Sequence, residues 1–242
     1  MTVFRVISPL AYRENECFEA FAAGSKEKED YMFEISPVEA SAAILNGNPV
    51  QIKRHENTIK VYTEKSLVPE ITVANLFSVT EAAKLLPERR EFVLHASYVF
   101  YKERAILFCA PSGTGKSTQA HFWENARGSV TVNEDRAIIF QKEGVYYAGG
   151  CWATGKSKTC LNISAPIHRI ILLEQGSENR IFDLSSAEKF KRLIAQCTFD
   201  ANTEKQRDSI ISCVLDLIAA VPVIGYACIN DISSVEELEK NL

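Results

Sequence analysis

The sequence predicts an α/β protein with a mixed β-sheet and a strand-rich N-terminal subdomain. Short runs of β-branched and aromatic residues, bounded by Gly, Pro and Asn, recur along the chain. One of them, AILFC at 105–109, leads into the glycine-rich stretch APSGTGKST and then into a helical pattern. Another, PIHRIILLEQ at 166–175, has the apolar character of a strand at a sheet centre. We place residues 1–90 in the N-terminal subdomain and 91–242 in the domain that carries the glycine-rich loop.

The first part of the chain is predicted to be mostly strands and turns. A helical turn at 81–86 is expected to stop at Pro87, because proline cannot continue the hydrogen-bonding pattern. The expected strands are 3–7, 31–35, 50–54, 58–63 and 71–79.

The second part mixes strands with longer helices. A helix from Lys116 to Arg127 is expected to end at Gly128, the usual residue at a left-handed C-cap. Two helices are expected at 185–197 and 204–220, with a short one at 235–241. The expected strands are 92–101, 104–110, 129–133, 136–141, 144–150, 166–175 and 223–229.

Composition narrows the classes of function. The chain has 242 residues, of which 46% are hydrophobic and 24% charged, as in ordinary globular proteins. The net charge of −4 argues against nucleic-acid and membrane-surface partners, because proteins bind both through basic patches. The N-terminus lacks the pattern of a signal peptide, and none of the seven cysteines forms a C-x-x-C pair. We therefore expect a cytoplasmic protein with reduced cysteines and no zinc site.

Two stretches resemble the phosphate loop G-x-x-x-x-G-K-[ST], APSGTGKST at 110–118 and GGCWATGKSKT at 149–159. The second matches better by letters, but such a loop works only between a buried strand and a helix whose N–H groups converge on the anion. The first stretch has that context, whereas the second is followed by a run without helical period that reaches Pro166. The sequence therefore assigns nucleotide binding to Ser112, Gly113, Thr114, Gly115, Lys116, Ser117 and Thr118.

Polar residues beside this loop have two interpretations each. Glu134 and Asp135 follow a predicted strand, a position from which carboxylates can ligate the Mg²⁺ of a bound nucleotide or accept the proton of a hydroxyl. Alternatively, both lie in a plain turn with their charges in water. His95 lies in an apolar strand, a place more typical of a core histidine than of a site residue. His55, His121 and His168 have no partner pattern and receive no role.

Taken together, LHASYVFYKERAILFCAPSGTGKST, the acidic pair and GGCWATGK resemble the catalytic domain of the HPr kinase/phosphorylase family. They resemble still more its short, phosphoenolpyruvate-carboxykinase-like relatives. The resemblance runs from about residue 90 to 200. The sequence departs from the family pattern at Ala110, which replaces the first glycine of the loop, at Glu134, which replaces an aspartate, and at Cys151, which replaces a proline.

The resemblance implies a mixed-sheet P-loop kinase core and an ATP- and Mg²⁺-dependent enzyme. Such an enzyme transfers the γ-phosphate to a hydroxyl, for example a serine, of a peptide, a small protein or a small molecule. No nucleic-acid or membrane partner is implied, and a homo-oligomer is left open. A nucleotide-binding regulator or peptide-binding partner that has lost the chemistry is the alternative, supported by the three departures.

The resemblance also implies residue roles. Lys116 and the loop amides would hold the β- and γ-phosphates, and Ser117 with Asp135 would ligate Mg²⁺. Glu134 stands where the family has its catalytic base, one methylene longer than the usual aspartate. His95 would lie near the transferred phosphoryl group, and Lys156 would approach phosphate or an acidic substrate group from the opposite side.

Overall fold

The computed structural model describes residues 4–7, 28–38, 50–71, 76–78, 80–152 and 159–242. The chain divides into two compact units, Met1–Ala82 and Ala83–Leu242. Each unit has its own sheet.

The first unit contains a four-stranded sheet with the order β1-β2-β4-β3. Strand β4 is parallel to β2 and antiparallel to β3, to which a tight turn connects it. Every second side chain of β2 and β4 is buried, including Phe33 and Ile59, so one face of the sheet carries the core. A 3₁₀ helix, Lys65–Glu70, follows. The strands are β1 (Phe4–Ile7), β2 (Tyr31–Val38), β3 (Val50–His55) and β4 (Thr58–Glu64).

The strand predicted at 71–79 is wrong where the structure describes it. Residues 76–78 are helical, and both the backbone N–H and the hydroxyl of Thr80 donate to the carbonyl of Leu76. Leu76 and Phe77 are buried in this turn, so the apolar residues reach the core from a helical backbone. Residues 72–75 and 79 lie outside the described ranges.

The second unit is built on a ten-stranded mixed sheet. Its main path runs β13-β5-β9-β10-β11-β7-β6-β8, and β14 pairs with both β11 and β12. The strands are β5 (Phe92–Leu94), β6 (Ala96–Tyr101), β7 (Arg104–Cys109), β8 (Val130–Asn133), β9 (Ala137–Lys142), β10 (Val145–Gly150), β11 (Ser164–Gln175), β12 (Arg180–Phe182), β13 (Cys197–Thr198) and β14 (Val223–Cys228).

Four α-helices and a 3₁₀ helix complete the described part of this region. The 3₁₀ helix, Ala82–Arg89, contains Pro87 instead of ending at it. Helix α2 starts from a capping box in which Ser185 and Glu188 bond reciprocally, and it ends earlier than predicted because β13 follows it. Helix α1 ends at Gly128 in the left-handed conformation, as predicted. The helices are α1 (Lys116–Arg127), α2 (Ser186–Ile194), α3 (Glu204–Ala220) and α4 (Ser233–Glu239).

The single strand predicted at 92–101 is two strands that meet at His95. Strand β5 pairs with β9 and β13, whereas β6 pairs with β7 and β8. The chain changes partners at His95, whose backbone N–H donates to the carbonyl of Gln196. This break places the histidine beside the end of β7 and not in the middle of a continuous ladder.

Strands β7 and β11 lie at the centre of the sheet, parallel to each other. Alternate residues of β7 enter different cores: Leu107 packs on the side of α3, and Phe108 packs on the side of α1 and α4. A strand covered on both faces is held firmly, so the loop that leaves its carboxyl end has a fixed starting point. In the described part of the chain, no helix is long and apolar enough to span a membrane.

Trp123 fixes α1 against the sheet. Its side chain is fully buried, with its ring 5.2 Å from that of Tyr101 and 6.4 Å from that of Phe108. We expect Trp123→Ala to lower the free energy of unfolding by about 3 kcal/mol, since it leaves a large cavity. Urea unfolding followed by circular dichroism would measure the loss. Ile232→Ala, at an exposed site, is the control and should change stability by less than about 0.5 kcal/mol.

The cysteines differ from one another. Cys109, at the end of β7, is a free thiol, and burial raises its pKa to about 12. Cys160, in contrast, is disulfide-bonded. The expectation that all cysteines are reduced is therefore wrong for Cys160, because residue spacing does not reveal which cysteines the fold brings together.

Candidate functional site

The first glycine-rich stretch forms a loop between the carboxyl end of β7 and the start of α1. Gly113 and Gly115 have φ values of 81° and 113°, a region that side chains other than glycine rarely adopt. Gly115 is the N-cap of α1, and no side chain caps this helix end. The N–H groups of the first helical turn are therefore not satisfied by a capping side chain.

Lys116 closes the loop on itself. Its ammonium group donates to the carbonyl of Ala110 at 2.8 Å and to that of Pro111 at 3.3 Å, and the residue is 7% exposed. Burial lowers the pKa of Lys116, and the nearby charge of Asp135 opposes that shift. A second side chain, Gln175 of β11, donates to the carbonyl of Gly113 at 3.3 Å. The loop thus has a defined shape, with its lysine in electrostatic contact with an acidic residue.

That acidic residue, Asp135, has two cationic or polar partners. Its Oδ1 lies 3.1 Å from Nε2 of His95, and its Oδ2 accepts a bond from Nε of Arg136 at 3.1 Å. The bond to His95, and then that to Arg136, hold the pKa of Asp135 at about 2 against the opposing effect of burial. The other ring nitrogen of His95 lies 3.1 Å from Oε1 of Gln196. The structure therefore brings His95 and Asp135 together beside Lys116.

Asn133 shapes the turn that carries the acidic pair. Oδ1 of its fully buried side chain accepts hydrogen bonds from the backbone N–H groups of Asp135 and Arg136, both at 2.9 Å. Its amide also donates to the carbonyl of Cys151 at 2.9 Å. An asparagine that bonds the backbone two residues ahead is a common turn device, so the Asn133 side chain is a sequence signal for this turn.

Glu134 points to the other side of the turn, towards α1. Its backbone carbonyl accepts the hydroxyl of Ser97 at 2.5 Å, and its Oε1 lies 3.7 Å from Nε2 of His121. The Glu134 and Asp135 side chains are 13% and 28% exposed, so the turn is not the fully solvated one considered as an alternative. His121, which the sequence left without a role, is thus a neighbour of the candidate base.

The second glycine-rich stretch is described at its two ends only. Residues 153–158, and with them Lys156, lie outside the described ranges. Gly150 ends β10, and residues 159–163 continue without a helix into β11. Both ends lie beside Asn133, through the carbonyl of Cys151 and through a backbone bridge to Cys160. The ends of this segment are therefore close to the acidic turn.

A cavity of about 660 Å³ lies beside the phosphate-loop candidate. It is bounded by the loop, by the carboxyl ends of β7 and β11, and by the last turn of α2 and the residues after it. Arg192 and Gln196 belong to its wall, and Gln196 is the residue that contacts His95. The cavity thus extends from the glycine-rich loop to Gln196, the partner of His95, and its volume is within the size range of small-molecule sites.

Protein ligands for a metal are sparse. Among the described residues, no cluster of three or more His, Cys, Asp or Glu could hold a metal ion. Mg²⁺ in nucleotide sites usually takes one or two protein oxygens and completes its shell with phosphates and water. A hydroxyl at Ser117 and an ionised carboxylate at Asp135 are the type of donor that it prefers. The residues therefore fit a nucleotide-bound Mg²⁺ better than an independent metal site.

The depressed pKa of Asp135 has a consequence for stability. The pKa of an aspartate in an unfolded chain is about 3.9, whereas that of Asp135 in the folded protein is about 2. The hydrogen bond of Asp135 to His95 and its ion pair with Arg136 therefore stabilise the folded state while the carboxylate is ionised, and this contribution is lost as the pH falls from about 4 towards about 2. We expect the stability difference between the wild type and Asp135→Asn to shrink over that interval, in urea unfolding at a series of pH values. A difference that stays constant across it would contradict these two assigned interactions.

No family profile and no curated protein matches this sequence. Among solved structures, the Hpr(Ser) kinase/phosphatase from Coxiella burnetii is similar to 62% of this chain and to 94% of its own, with 15% identity and a TM-score of 0.36. A likeness at that level assigns neither family nor activity.

Proposed function

We propose that this protein is an ATP- and Mg²⁺-dependent kinase that transfers the γ-phosphate to a hydroxyl group. The acceptor would belong to a peptide, a small protein or a small molecule. The proposal rests on one observation above all, that a buried central strand, a loop with two left-handed glycines and a helix starting at Lys116 follow each other directly. This is the arrangement in which backbone N–H groups and a lysine cradle phosphates.

The residues around the loop support the remaining roles. Lys116 would exchange the carbonyls of Ala110 and Pro111 for the β- and γ-phosphates. Ser117 and Asp135 would hold Mg²⁺, which supplies positive charge to the phosphates. His95, 3.1 Å from Asp135, would orient that carboxylate and lie next to the transferred group.

Glu134 is the candidate base for the acceptor hydroxyl. Its largely buried carboxylate lies in the same turn as Asp135 and near His121. The glutamate side chain approaches His121 of α1, whereas Asp135 contacts His95. Lys156 is proposed as a contact to phosphate or to an acidic acceptor group, and the ends of its segment are near Asn133.

Labelled ATP tests the proposal directly. The protein would be incubated with γ-labelled ATP, Mg²⁺ and a panel of hydroxyl acceptors that includes serine peptides, hydroxy acids and polyols. Transfer of label to an acceptor, dependent on Mg²⁺ and lost in Lys116→Ala, is the expected result. Saturable Mg-ATP binding without transfer to any member would favour the second candidate, a nucleotide-binding regulator.

One observation favours that second candidate. Both carboxylate oxygens of Asp135 already have protein partners, His95 and Arg136, so Mg²⁺ must compete with an existing ion pair. Arg136→Ala distinguishes the candidates, because it frees Oδ2 of Asp135. In a working kinase this variant should lower the Mg²⁺ concentration needed for half-maximal turnover by about 2- to 5-fold. In a regulator it should change Mg-ATP affinity and produce no turnover.

A further inference from the structure

The cavity beside the loop has a positively charged wall that phosphate binding by the loop does not explain. Lys191 and Arg192 of α2 line it, and among the described lining residues Glu174 is the single carboxylate. Arg192 is already bonded to Oε1 of Glu174 at 2.7 Å and to the carbonyl of Leu173 at 3.2 Å. Lys191 has no ion-pair partner among the described residues. The lining therefore retains one net positive charge.

These cations share the cavity with the loop. The lining combines Ser112, Gly113 and Thr114 of the loop with Lys191 and Arg192 of α2, and it includes the apolar side chains of Leu172 and Ala195. A ligand that fills the cavity would touch both the phosphate loop and the cations. Arg192 is held by two bonds, so its guanidinium is already oriented when the ligand arrives.

The cavity wall is one side chain away from His95. Gln196 belongs to its wall and bonds to His95, which in turn contacts Asp135. Transfer needs the acceptor hydroxyl within about 3 to 3.5 Å of the phosphorus. An acceptor that lies in this cavity can place its hydroxyl near the loop and another of its groups near α2.

Resting on the proposed kinase function, we infer that the phosphoryl acceptor binds in this cavity and carries an anionic group, a carboxylate or a phosphate, that Lys191 and Arg192 recognise. A nucleobase is the less suitable occupant, because no aromatic ring lines the cavity among the described residues. The volume of about 660 Å³ suits a small hydroxylated anion or one end of a peptide.

Inorganic phosphate is the probe for the cationic wall. Calorimetry would titrate phosphate into the full chain saturated with Mg-imidodiphosphate, which fills the phosphate loop. We expect one phosphate site whose Kd rises at least about 10-fold in Lys191→Gln and in Arg192→Gln. Lys189→Gln is the matched control, since Lys189 is on the same helix but does not line the cavity, and it should leave the Kd within about 2-fold. Absence of this site, or equal affinity in Lys191→Gln and wild type, would overturn the inference.

A second titration separates an acceptor anion from a phosphate of the nucleotide. When Mg-AMP-PNP replaces imidodiphosphate, phosphate should still bind, because the nucleotide leaves the cavity open. Loss of phosphate binding under this condition would assign the cavity to the nucleotide and overturn the acceptor role. Glycerate should then be a better acceptor than glycerol by at least about 10-fold in kcat/KM in the wild type, and that preference should fall in Lys191→Gln.

The failure of the kinase proposal remains distinguishable from the failure of this inference. If neither imidodiphosphate nor Mg-AMP-PNP binds, the loop is not a nucleotide site and the proposed function is wrong. Phosphate titrated into Lys116→Ala then reports on the cavity alone. If Lys116→Ala binds phosphate and the additional substitution Lys191→Gln weakens that binding, the anion site at Lys191 and Arg192 is supported. If Lys116→Ala binds no phosphate, the anion site is ruled out as well.

Discussion

Lys116→Ala should abolish saturable binding of Mg-ATP, with a loss of at least about 1,000-fold in affinity. The reason is that Lys116 is the first residue of α1 and directly follows the loop that contains two glycines in the left-handed conformation. In the wild type the Lys116 ammonium group donates hydrogen bonds to the carbonyl oxygens of Ala110 and Pro111. Without this cation, the negatively charged phosphates would face those two carbonyl oxygens. Calorimetry with Mg-AMP-PNP measures the effect, and Lys189→Ala serves as an unrelated lysine control.

The same measurement decides between the two glycine-rich stretches. Lys156→Ala should leave Mg-AMP-PNP affinity within about 3-fold of the wild type and lower turnover. If Lys156→Ala abolished binding while Lys116→Ala preserved it, the second stretch would be the nucleotide loop. Circular dichroism of Lys116→Ala must show the native fold, since its side chain is 7% exposed and hydrogen-bonded within the loop.

Asp135→Asn should reduce kcat by at least about 1,000-fold while the protein still binds nucleotide. The substitution keeps the shape of the side chain, and its oxygen can still face His95, but it removes the negative charge that would hold Mg²⁺ on the phosphates. Transfer of label from γ-labelled ATP under saturating substrate measures kcat, and calorimetry measures nucleotide binding separately.

Glu134→Gln is the informative companion to Asp135→Asn. If Glu134 is the base, its variant should lower kcat by about 100-fold with Mg²⁺ dependence unchanged, because proton acceptance and metal binding are different tasks. Asp135→Asn should instead raise the Mg²⁺ requirement. Equal Mg²⁺ dependence in the two variants would contradict the separate roles given to the neighbouring carboxylates, one directed towards His121 and one towards His95.

Much of the second unit could be predicted from the sequence because its signals are local. Helix α1 and its left-handed end at Gly128 follow from a short periodic segment between glycines. Strand β11 follows from a long apolar run, although it starts two residues before the predicted 166. The two errors have different origins. The strand break at His95 accompanies a bond to the distant Gln196, whereas the helical turn at 76–78 is closed by local bonds from Thr80 to Leu76, four residues earlier.

The candidate site divides in the same way. The residue types and their order selected the loop of Lys116, the acidic pair and His95, since glycine freedom, a strand before and a helix after can be recognised in one dimension. No local pattern linked Asn133 with Cys151, His121 with Glu134, or Gln196 with His95, because these partners are 13 to 101 residues apart along the chain. The sequence alone determined which groups are predicted to bind a phosphate. The tertiary structure decided that Gln196, Lys191 and Arg192 border the same cavity as the loop, because only the packing of α2 over β11 brings a distant helix to that edge of the sheet.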